Sequence, residues 1–100
     1  MNWTETSELK DFAEKVQKAI YMTSIVALKL QGEDRDDMLA IRKMMRELRS
    51  KLGKIQNFRD EMEVTEIFGA ILLGLGIMYS QIPDESVRND ILKIQEFLGE

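Results

Sequence analysis

From Leu9 onward the chain returns to the same face every three or four residues, through Leu9, Phe12, Val16, Ala19, Thr23, Val26 and Leu30. All but Thr23 are apolar, and this spacing predicts a first helix with one buried stripe. The opposite face carries Lys10, Asp11, Glu14, Lys15 and Lys18, with Asp11–Lys15 and Glu14–Lys18 in the favourable i,i+4 order. Asn2 and Glu5 stand at capping-box spacing ahead of it, with Thr4, Thr6 and Ser7 as alternative caps. Beyond Lys18 the pattern broadens. Ile20, Tyr21, Met22, Ile25, Ala27 and Leu28 add apolar faces, so the second half of this helix needs cover on more than one side. Gly32 is the expected left-handed stop.

Asp34 can cap the next helix, with Asp36 and Asp37 in a first turn where the helix dipole favours negative charge. Met38, Ile41, Met45, Leu48, Leu52 and Ile55 then step 3-4-3-4-3, an unbroken seam. Arg59 and Met62 keep the phase, which predicts one long helix over residues 35–62. A break at Gly53 is the alternative, since glycine costs a helix interior about 1 kcal/mol.

Residues 67–79 read IFGAILLGLGIMY, without a charge and with three glycines. Periodicity alone does not separate a helix from a buried hairpin here. Only Ile67, Ile71 and Ile77 are β-branched, no tight-turn pair divides the run, and a lone hairpin would have no sheet to join. A helix over residues 66–81, capped by Thr65, is therefore expected, hidden on nearly its whole circumference and partly by a second subunit. The run is shorter than the roughly 20 residues a bilayer requires. Glu63, Glu66, Asp84 and Glu85 flank it without basic anchors, so a membrane span is not expected. Ala70 and Gly74, like Gly76 and Ser80, are small residues four apart that permit a close crossing, within the monomer or between copies.

Pro83 forces the next break, and Asp84 and Glu85 suit a new start. Val87, Ile91, Ile94 and Leu98 form a last seam with Leu92 and Phe97 beside it, predicting a helix over 84–98. The expected architecture is all-α: one domain over residues 1–100, an antiparallel bundle of about four helices, two long and two short, assembled as a dimer. A short pair laid end to end as one kinked column is the alternative.

Composition fits this picture. The chain has 100 residues, 44% hydrophobic and 32% charged, enough for a core without staples. One proline and seven aromatics agree with helix, and seven methionines with adaptable packing. Cysteine and histidine are absent, which removes disulfides, thiol chemistry, imidazole catalysis and structural zinc of the usual kind. The polar, acidic start is unlike a secretory signal, and a cytoplasmic setting is the default expectation.

Little chemistry is encoded. Asp60, Glu63 and Glu66 have helical spacing, but a di-metal bundle site needs Glu-x-x-His pairs. Asp34, Asp36 and Asp37 read as an ordinary acidic helix start, and no glycine loop cradles phosphate. No enzyme, metal or cofactor is expected. The sharpest charged feature is Arg42, Lys43, Arg46, Arg49, Lys51 and Lys54, six of fourteen basic residues with only Glu47 among them. It leaves the remainder at −9, eight bases against seventeen acids.

Arg42, Arg46 and Arg49 form one stripe. With Lys43 and Lys54 they are the candidate contact for another protein with an acidic surface, unless the face is merely solvated. A small nucleic-acid-associated regulator is the alternative; the overall acidity and the lack of aromatics in the patch weigh against it. The expected function is a non-enzymatic interaction module: an adaptor, inhibitor or assembly subunit, the form such proteins take among phage and mobile-element products. It would form homodimers through Tyr21, Met22, Ile25, Ala70, Leu73, Gly74 and Ile77.

Overall fold

The computed structural model describes residues 6–99, so the Asn2–Glu5 capping box lies outside the described residues. Four helices follow one another: α1 (Thr6–Leu28), α2 (Gly32–Leu52), α3 (Phe58–Gln81) and α4 (Glu85–Gly99). Connections of three, five and three residues are too short for anything but antiparallel neighbours. α1 packs on α2 and α4, and α3 packs on the same two, while α1 and α3 occupy opposite corners. The ring settles the fate of α3 and α4, which form a hairpin rather than a kinked column. Its dimensions are 41 × 20 × 18 Å. The helices number 23, 21, 24 and 15 residues, three long and one short instead of two and two.

The seams read from the sequence supply the core. Val16, Ala19, Thr23 and Val26 of α1 are buried, as are Met38, Ile41, Met45, Leu48 and Leu52 of α2 and Val87, Ile91, Ile94 and Leu98 of α4. Among the described residues Thr23 is the one polar residue in this core; its hydroxyl donates to the Ala19 carbonyl at 2.7 Å and approaches the Met45 sulfur at 3.3 Å. Phe12 and Phe68 meet edge to face across the diagonal, ring centroids 5.2 Å apart.

Several boundaries differ from expectation. The single helix over 35–62 does not form: α2 stops at Leu52, with Gly53 as its C-cap. Two local features outweigh the in-phase seam. Glycine weakens the helix at 53, and the Asn57 side chain accepts from the Asp60 amide at 3.0 Å, capping a new helix. Thr65 is consequently no cap; it sits inside α3 with its hydroxyl on the Glu61 carbonyl.

α2 starts earlier than Asp34, its N-cap being Gln31, and Glu33 and Asp34 fill the first turn in place of Asp36 and Asp37. Gly32 does take a left-handed φ of 61°, but at the opening of α2, four residues beyond the end of α1 at Leu28. Asp84 caps α4 as its sequence suggests, accepting from the Val87 amide at 3.2 Å.

The uncharged run is helical, and its burial is one-sided. Ile71, Leu75 and Met78 point into the core, whereas Ala70, Leu73 and Ile77 are exposed on the protomer. Starting at Phe58, α3 is long and apolar enough to cross a bilayer by length and composition alone. Its N-terminal part, up to Glu66, nevertheless carries Arg59, Asp60, Glu61, Glu63 and Glu66, and its core face is occupied by α2 and α4.

Candidate interaction surfaces

Among the described residues two apolar stripes remain uncovered, each on the side of its helix opposite the core. On α1, Tyr21, Ile25 and Leu28 stand at i, i+4 and i+7; Tyr21 and Leu28 are 68% and 74% exposed. On α3, Ala70, Leu73 and Ile77 stand at i, i+3 and i+7, with Leu73 66% exposed. Met62 and Phe58 extend this second stripe towards the start of α3. The seven residues expected to mediate self-association are thus divided. Tyr21 and Ile25 lie on one corner of the bundle, and Ala70, Leu73 and Ile77 on the other.

Met22 is half-buried and lines a shallow hollow of about 180 Å³ between α1 and α4, with Ile25, Val26, Lys29, Asp90, Lys93 and Ile94. Lys29 and Asp90 form an ion pair of 2.8 Å at its edge. Gly74 is committed inside the protomer, where α3 crosses α2 closely at Ile41.

The basic residues of α2 are also divided, because the two sides of this helix meet different neighbours. Arg42, Arg46 and Arg49 lie on the α1 side. Arg42 Nη1 donates to Ser24 Oγ at 3.2 Å. Arg46 and Arg49 line a groove of about 590 Å³ together with Leu9, Lys10, Ala13, Ser50, Leu52 and Gly53. Lys51 turns the other way, to Glu63 of α3 at 3.4 Å. Lys43 is exposed on the outer side of α2, and Lys54 follows the helix in the connection to α3. The groove therefore presents Lys10, Arg46 and Arg49, a smaller and differently composed cluster than the five residues expected.

Lys10 was not legible as a member, since only the packing of α1 on α2 brings it there. Phe58 and Met62 were missed as surface residues, although they share the phase of Leu73, and Leu28, expected only to need cover, joins the stripe three residues after Ile25. Among the described residues no group of three carboxylates or other metal-binding side chains converges.

The chain matches no known protein family, no curated protein and no solved structure.

Proposed function

We propose that this protein is a non-enzymatic interaction module that associates with copies of itself and offers a second surface to an acidic protein, in a cytoplasmic setting. The observation that carries the reading is the bare stripe on α3. Leu73 and Ile77 stand clear of the bundle on a helix face without a charge between Glu66 and Gln81, and Ala70 and Gly69 beside them leave room for close approach. Exposed single hydrophobic residues are ordinary; aligned ones on a continuous helix face mark a contact surface. A homomeric contact is the simplest way for such a face to be covered.

The groove between α1 and α2 supports the second part. Lys10, Arg46 and Arg49 line it with apolar Leu9, Ala13 and Leu52 at its floor, a setting suited to an acidic side chain or chain terminus on a partner protein. A continuous phosphate track is less well supported, because Arg42 and Lys51 are turned to opposite neighbours.

Light scattering coupled to size exclusion tests the reading. At tens of micromolar the wild type should exceed its protomer mass of 11.6 kDa, and Leu73→Glu should return it to that mass with its helicity intact. A wild type that stays monomeric at this concentration removes self-association. For the groove, the double reversal Arg46→Glu with Arg49→Glu should abolish capture of an acidic partner while the fold persists. Undiminished capture would exclude this surface.

A further inference from the structure

The two uncovered stripes lie in chain segments of opposite charge. Between Glu14 and Glu33 the chain holds three lysines, Lys15, Lys18 and Lys29, and no acid. Between Arg59 and Arg88 it holds six acids, from Asp60 to Glu85, and no base. The α1 stripe lies wholly in the first segment. The α3 stripe from Met62 to Ile77 lies wholly in the second. Along these stretches the α1 stripe is thus accompanied by lysines, two of them set over the Phe97 ring and one paired with Asp90, and the α3 stripe by carboxylates.

Shape points the same way. The hollow between α1 and α4, walled by Met22, Ile25 and Ile94 and edged by Lys93 and the Lys29–Asp90 ion pair, measures about 180 Å³. A cavity of roughly 150 Å³ already admits a benzene molecule, so one aliphatic side chain fits. Leu73 is the projecting aliphatic residue at the middle of the α3 stripe. The spacings also match when read in opposite senses. Tyr21, Ile25 and Leu28 step four then three, and Ile77, Leu73 and Ala70, read backwards, do the same. Antiparallel helices would pair Tyr21 with Ile77, Ile25 with Leu73, and Leu28 with Ala70.

We infer that copies of this protein join head to tail, the α1 stripe of one docking on the α3 stripe of the next. This rests on the self-association proposed above and specifies its geometry. Because α1 and α3 occupy opposite corners and each stripe faces away from the core, the two docking faces point in opposite directions. A contact between two different patches leaves one of each free at the ends, and with the patches opposed the assembly extends instead of closing on itself.

Ile25→Glu blocks the first face and Leu73→Glu the second; Tyr21→Glu serves where Ile25→Glu fails to fold, as judged by circular dichroism. In sedimentation velocity the wild type should form species beyond the dimer that grow with concentration. Each variant alone should sediment as the 11.6 kDa protomer. An equimolar mixture should give a 1:1 species of twice that mass, since each variant retains the face the other lacks. Its affinity should fall at least several-fold between 50 and 500 mM salt, roughly the range over which surface charges become screened.

A wild type monomeric throughout overturns both self-association and this geometry. A wild type that associates while the mixture stays monomeric, or while Ile25→Glu alone still dimerises, overturns the head-to-tail contact only and points to pairing of α3 with itself.

Discussion

Gly74 of α3 lies so near Ile41 of α2 that a β-carbon placed on it would meet Ile41 Cγ1 at 3.2 Å and Cδ1 at 3.3 Å. The α2–α3 crossing is set by this missing side chain. Gly69, five residues earlier in the same helix, has nothing within 4 Å of the same position. Gly69→Ala should therefore stabilise the monomer by about 0.5–1 kcal/mol, the helix-propensity gain unopposed. At Gly74 the gain is offset by displacement of a buried isoleucine, so Gly74→Ala should fall about 1 kcal/mol below Gly69→Ala, and Gly74→Val should cost about 1–3 kcal/mol. Urea unfolding of the three variants below the association range measures this; equal effects of the two alanines would contradict the tight crossing.

The start of α3 is testable in the same way. Asn57 caps the helix and Thr65 sits inside it, exposed. Asn57→Ala should cost about 1 kcal/mol, and Thr65→Ala should be neutral or slightly favourable because alanine is the better helix former. The reverse order would place the helix start at Thr65.

Thr23 is buried without being needed for its hydroxyl. Its Oγ1 hydrogen bond returns to the Ala19 carbonyl one turn earlier, a group that the helix already satisfies, so Thr23→Val leaves no backbone acceptor orphaned. The substitution should change stability by less than about 1 kcal/mol, whereas Met45→Ala at the neighbouring buried site should cost about 2–5 kcal/mol. Thermal unfolding of both variants gives the comparison.

The ion pair Lys29–Asp90 joins the end of α1 to α4 at the surface, with Lys29 half-exposed. Such pairs contribute at most about 1 kcal/mol. A double-mutant cycle on Lys29→Met and Asp90→Asn should give a coupling below about 1 kcal/mol that fades in high salt. A larger, salt-insensitive coupling would mean that the pair is far better shielded than its exposure indicates.

What could be read from the sequence follows the range of the physics involved. The seams of α2 and α4 were legible because amphipathic spacing is a local property, and Met38 through Leu52 and Val87 through Leu98 are buried as their spacing requires. The end of α2 was not, because Ile55, Arg59 and Met62 continue its phase and the cap at Asn57 is a single side chain among polar neighbours. The division of the arginines and lysines of α2 was hidden for another reason. Which residues meet α1 and which meet α3 depends on the ring order of the helices, a non-local fact. The same applies to the two apolar stripes, whose opposed directions appear only when α1 and α3 take opposite corners.

If another copy of the chain covers the outward faces of α1 and α3, as proposed, the mass in solution must rise with concentration. A sedimentation-velocity dilution series of the wild type, from about 1 to 500 µM at low salt, tests it most directly. Weight-average mass should climb continuously from 11.6 kDa past twice that value. A mass constant at 11.6 kDa over the whole range would contradict it.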